Sequence, residues 1–163
     1  MAVTSKVDEV RKEVDRLAGS VHSTRELMEK IVRLLHGRML KYNWVGFYMV
    51  ENSTGGQPAV LVLGPFQGAM TPHTRIPLNQ GICGAAAATG KTLVIDDVSA
   101  DARYLPCSSE TKSEIVVPIS VKNEVVGELD IDSHFPAAFD HEDRELVQHC
   151  AALVGKLLER SGA

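Results

Sequence analysis

A cysteine and a glutamate seven residues apart, Cys107 and Glu114, guard the entrance to a strongly apolar stretch in LPCSSETKSEIVVPI. Free cysteines are usually buried. Cys107 instead sits among Pro106, Ser108, Ser109 and Glu110, a polar setting in which a thiol meets solvent. An accessible thiol becomes a nucleophile once it loses its proton, so Cys107 reads as reactive or redox-active, the alternative being an inert loop thiol. Cys83 lies in GICG at the start of an alanine-rich segment. A helix N-terminus there would favour its thiolate and lower its pKa; the bland alternative is a small residue packed between two glycines. Cys150 falls on the apolar side of a helical pattern and reads as core.

Carboxylates supply the second half of the chemistry. In GELDIDS, Asp130 and Asp132 are two apart on a strand, so their side chains leave one face and those of Leu129 and Ile131 the other. The two carboxylates lie roughly 7 Å apart along the strand. Burying both is costly unless something cationic joins them; the alternative is a solvated strand face. If SEIVVPISV and EVVGELDID pair around Lys122–Asn123, Glu114 falls beside the aspartates and three carboxylates share one pocket. Such a cluster suits a ligand ammonium, a protonated general acid or a metal. A metal is the weakest of these, because no histidine stands at ligand spacing beside the aspartates. Trp44 and Tyr48 alternate on a strand with Gly46 between them, either as core or as an aromatic wall with polar handles. Gly46 would leave space for a ligand above the sheet.

The elements that must position these residues follow from periodicity. Val7, Val10, Val14 and Leu17 mark an amphipathic helix, with Ser5 and Asp8 as a capping box and Gly19 at its end. Ser23 and Glu26 start a second helix, through about Met39. NWVGFYMVE and AVLVLGPF read as strands joined by the turn NSTGGQP, leading through a Pro- and Gly-marked corner to HTRIPL. GICGAAAAT forms a short helix closed by Gly90, and TLVID a short strand. VSADARYLPCSSETK is a long loop, hence functional or mobile. A hairpin follows, and Asp140 with Asp143 opens a last helix. The expected fold is α+β with a mainly antiparallel sheet, the terminal helices on one face and the short helix and loop on the other. One domain spans 1–163: helices over 1–40, sheet and pocket over 43–133, and a closing helix over 140–160.

At 163 residues and with an ordinary apolar fraction, the chain has one sizeable core. A net charge of −4 gives no basic footprint for nucleic acid or anionic membrane. No apolar run is long enough to span a bilayer, and the N-terminus lacks the apolar stretch of a signal peptide. A cytoplasmic, reducing setting is expected, with three free thiols rather than a disulfide framework. Apolar helices at both ends fit a homodimer, or simply pack on the sheet.

Taken in order, NWVGFY, LGPFQG, RIPLNQGICGAAAATGK, IDDV, PCSSETKSEIVVPI and GELDIDS resemble the free methionine-(R)-sulfoxide reductases, a family built on a single GAF domain. The resemblance runs from about residue 25 to 158. It implies that Cys107 is the nucleophile that attacks the sulfoxide sulfur and becomes a sulfenic acid. It implies that Glu114, Asp130 and Asp132 hold the substrate ammonium and assist protonation of the oxygen, and that Trp44 and Tyr48 wall the methyl group. Cys83 matches the cysteine of the family's GxCG turn. A departure stands at HTRI, where His73 replaces a further family cysteine that in many members closes a disulfide with the nucleophile. Recycling then falls to Cys83 as resolving thiol, or to an external reductant, a small thiol or thioredoxin. His73, when protonated, would favour a nearby Cys107 thiolate.

The function expected is thiol-dependent reduction of free methionine-(R)-sulfoxide, with no bound cofactor and no metal. Two other classes fit some of the same residues: a non-catalytic GAF module that binds a small ligand, and a redox sensor built on Cys83 and Cys107.

Overall fold

The computed structural model describes residues 5–52, 55–56, 58–78, 80–104 and 109–161. Cys107 and its neighbours 105, 106 and 108, with part of the NSTGGQP turn, lie outside the described residues.

Four helices surround one sheet: α1 (Lys6–Ser20), α2 (Thr24–Arg38), α3 (Gly81–Thr89) and α4 (His141–Arg160). The six strands are β1 (Trp44–Glu51), β2 (Val60–Gln67), β3 (Arg75–Pro77), β4 (Leu93–Ile95), β5 (Ser113–Val121) and β6 (Glu124–Ser133). They lie in the order β3-β2-β1-β6-β5-β4, each described pair antiparallel. The α+β class with an antiparallel sheet is therefore as expected.

Local chemistry sets the helix ends. Ser5 and Ser23 cap α1 and α2 by accepting the N–H groups of Asp8 and Glu26, each at 3.1 Å. Gly19 does not stop α1, which continues through Ser20 and ends at extended Val21. Asp140 and Asp143 form a reciprocal capping box on α4, both bonds 3.0 Å. Gly90, at φ 70°, turns the chain out of α3 in a conformation that costs a side-chain-bearing residue.

Alternation then divides the sheet into two faces. Val45, Phe47, Ile115, Val117, Leu129 and Ile131 point towards α2 and α4 and share one core with Ile31, Leu35, Leu146, Cys150 and Val154, to which α1, packed on α2 and α4, adds Val14. Each of these large side chains is worth about 1.5–3 kcal/mol on burial, so this face carries the stability. Gly155 lets α4 lie close against β5, since a Cβ there would stand 2.9 Å from the Ser120 carbonyl oxygen. The opposite face presents Trp44, Tyr48, Leu61 and Val116 to α3 through Ile82, Cys83, Ala86 and Ala87. This second, thinner layer holds the pocket.

The β5–β6 hairpin fixes the register that matters. Lys122 and Asn123 both take positive φ, 52° and 68°, as a two-residue turn requires. Glu114 then stands opposite Asp132, Val116 opposite Asp130 and Pro118 opposite Glu128. On the other side of β6, Trp44, Gly46 and Tyr48 oppose Asp132, Asp130 and Glu128.

Candidate active site

The pocket is built from three layers of chain. Its floor is the sheet, contributing Glu114 from β5, Asp130 and Asp132 from β6, and Trp44 and Tyr48 from β1. Its roof is the start of α3, with Gly81, Ile82 and Cys83, and its rim includes Thr71, His73, Ile76 and Tyr104. The enclosed space is about 410 Å³, open mouth included. Among the described lining residues there is no lysine or arginine.

The aromatic wall is held rather than free. Trp44 donates its indole N–H to the Ala69 carbonyl at 3.0 Å, and Tyr48 donates its hydroxyl to the His73 carbonyl at 2.8 Å. Their rings stack at 6.1 Å between centroids, and Phe66 stacks on the other side of Trp44 at 5.7 Å. The space expected above Gly46 is taken up by this arrangement: a Cβ on Gly46 would lie 2.2 Å from the Trp44 ring. Gly46 therefore makes room for the indole, and the indole shapes the pocket.

The carboxylates converge as the hairpin register requires. Glu114 is 5% exposed, and Asp130 and Asp132 are 4% each. Burial pushes the Glu114 carboxyl well above its ordinary range, and the neighbouring Asp130 and Asp132 push it further. Asp130 is raised by its burial, while contacts with Glu114 and Cys83 pull the other way. The pattern is that of a proton held on Glu114 and shared with Asp130. Such a group can serve as a proton donor to a bound substrate.

Of the two readings of Cys83, its surroundings fit the packed small residue and not the activated thiolate. The residue does sit in the first turn of α3, but its thiol is pushed well up rather than down. Burial is the main cause, followed by the charges of Asp130, Glu128 and Glu114. One helix end does not offset three buried carboxylates. The Cys83 sulfur, an oxygen of Glu114 and an oxygen of Asp130 all lie within 4.8 Å of one another. Cys150 is fully buried in the helix-side core, as its pattern suggests, with its pKa pushed up to about 12, mainly by burial.

Sequence reasoning passed over one acid. Glu128 is on the same face as Asp130 and Asp132, is 0% exposed, and neither of its oxygens finds a hydrogen-bonding partner of good geometry. It is pushed well up by burial and by Asp130, and the Cys83 thiol is the polar group turned towards it. The same two-residue alternation that picked out Asp130 and Asp132 would have found it.

Comparison with known proteins places this geometry. The chain matches the GAF domain family over residues 23–158. It is 40% identical over 125 residues to a free methionine-R-sulfoxide reductase of Escherichia coli, covering 77% of this chain and 72% of that protein. The fold superposes with a TM-score of 0.87 on the free methionine-R-sulfoxide reductase of Neisseria meningitidis solved in complex with its substrate. That match has 32% identity and covers 100% of this chain and 97% of the other. A type II free methionine-R-sulfoxide reductase from Thermoplasma acidophilum superposes at 0.77 with 35% identity, over 88% and 96% of the two chains. With matched sequence, matched fold and an acidic, aromatic-walled pocket on the α3 side of the sheet, this chain belongs to the free methionine-R-sulfoxide reductases, within the GAF domain family.

Proposed function

We propose that the protein reduces free L-methionine-(R)-sulfoxide to methionine at this pocket. The observation that carries the reading is the buried group of Glu114, Asp130 and Asp132 facing Trp44 and Tyr48, with no lysine or arginine among the described lining residues. A free amino acid supplies the missing cation through its ammonium, which a peptide-bound methionine lacks. Asp130 and Asp132 hold that ammonium, and the aromatic rings receive the methyl and methylene groups.

Chemistry follows from the proton held on Glu114. The Cys107 thiolate attacks the sulfoxide sulfur while a pocket carboxylic acid protonates the sulfoxide oxygen. The oxygen ends on Cys107 as a sulfenic acid, two electrons pass to the substrate, and methionine leaves. A second thiol then attacks the sulfenic sulfur and water departs. That thiol is Cys83 or an external one, and thioredoxin or a small thiol reduces the resulting disulfide. The Cys83 thiol needs a proton acceptor for this step, because its surroundings disfavour the thiolate.

The test is loss of free methionine sulfoxide, resolved into its two sulfur epimers, with a dithiol as reductant. Loss of the R epimer alone, absent in Cys107→Ser, is the expected result. Loss of neither epimer by folded, reduced protein overturns the reading and favours a ligand-binding module.

A further inference from the structure

Glu128 has no part in the proposed reaction, yet it lies fully buried against the site. Cys83, Glu114, Glu128, Asp130 and Asp132 bring one thiol and four carboxyl groups into a single interior. In the sequence the absence of a histidine beside the aspartates argued against a metal; the fold supplies a softer donor from α3 instead.

We propose that the reduced protein binds one thiophilic divalent cation, such as Zn²⁺, through Cys83, Glu114 and Asp130. Three observations support the site. The three donor atoms lie within 4.8 Å of one another, close enough for small side-chain adjustments to bring all three onto one ion. All three residues are buried, so each bond forms where water competes little. Independently, Glu128 is 0% exposed with neither oxygen in a hydrogen bond of good geometry, and the polar group turned towards it is the Cys83 thiol, itself one of the three donors. A buried carboxyl group short of well-aligned partners is costly, and a cation bound beside it gives its oxygens one. Mixed thiolate and carboxylate donors select Zn²⁺ over Mg²⁺ or Ca²⁺, which prefer oxygen alone.

Occupation has a functional consequence. Binding displaces the Cys83 proton and uses Glu114 and Asp130, two of the groups assigned to the substrate. The cation and the amino acid therefore exclude one another, and Zn²⁺ acts as an inhibitor relieved by chelation. This competition rests on the proposed function; the metal site itself does not.

The experiment uses the Cys107→Ser chain reduced with a phosphine, so that neither the Cys107 thiol nor a dithiol binds the ion. Titration with Co²⁺ is expected to give a thiolate-to-cobalt charge-transfer band saturating at one ion per chain, and Zn²⁺ to abolish it. Adding Cys83→Ser removes the band, and Glu128→Gln weakens Co²⁺ binding at least tenfold while circular dichroism stays unchanged. No stoichiometric band in Cys107→Ser overturns the proposal, as does a band that survives Cys83→Ser. Unchanged affinity in Glu128→Gln overturns it as well, and does so even if Cys83→Ser fails to fold. Free methionine sulfoxide should displace the ion. A saturable band with no displacement, together with no turnover by the wild-type chain, would keep the metal site and sink the reductase reading.

Discussion

Glu114 on β5 stands directly opposite Asp132 on β6, and Val116, two residues on, opposite Asp130. Cross-strand pairing of like charges is ordinarily unfavourable. Here it keeps a proton on Glu114, raised first by burial and then by Asp130 and Asp132. Glu114→Gln is therefore expected to lower kcat/KM by about 10²- to 10⁴-fold, the usual worth of a general acid. The wild-type rate should decline as pH rises through the raised Glu114 value, because the acid form is lost. That alkaline limb should vanish in the glutamine variant, read from kcat/KM across pH.

Trp44 is the only tryptophan in the chain and lines the pocket. Its fluorescence should change saturably when methionine sulfoxide is added to Cys107→Ser, giving a binding curve without turnover. In Gly46→Ala the new Cβ would stand 2.2 and 2.6 Å from the ring, so the indole must move. KM should rise about tenfold, roughly 1.4 kcal/mol of binding, with kcat changed less. An unaltered emission spectrum in Gly46→Ala would refute this.

Two cysteines are expected to part company under mutation. Cys150 is fully buried in the apolar layer beneath α4, so Cys150→Ser places a hydroxyl among hydrocarbons and costs about 1–3 kcal/mol. The urea midpoint should fall while kcat/KM holds. Cys107→Ser should do the reverse, abolishing turnover with little change in midpoint.

Glu128 binds its proton more tightly in the folded chain than in the unfolded one, because burial and Asp130 raise its pKa. Its contribution to stability is thus fully present below the ordinary carboxylate range and is lost as pH rises through the raised value. Glu128→Gln removes that loss. Denaturation midpoints of the variant and the wild type should diverge progressively from mildly acidic to alkaline pH, the variant being the more stable. A constant offset would show that Glu128 does not titrate in that window.

Much of this was legible from local rules. The Ser and Asp caps, the two-residue turn at Lys122–Asn123, and the convergence of Glu114 on Asp130 and Asp132 all follow from short-range chemistry and a period of two. What escaped depends on the third dimension. The descent of α3 onto the sheet sets Cys83 among carboxylates and reverses the expected direction of its pKa. The space expected above Gly46 vanished because a ring two residues away folds over it. Glu128 was overlooked because the alternation was followed forwards from Asp130 and not backwards. The place of Cys107 relative to His73 falls outside the described residues.

All four acids of the site, Glu114, Glu128, Asp130 and Asp132, belong to one hairpin with a two-residue turn. A slip of β6 by one residue would rotate three of them together into the layer of Phe47, Ile31 and Leu146. An apolar strand slipped that way would find a tolerable home. This one would carry three carboxyl groups into hydrocarbon, at several kcal/mol in total. The same acids that weaken the finished fold at neutral pH thus act as a proofreading device while it assembles, discarding the wrong alignment before it can settle.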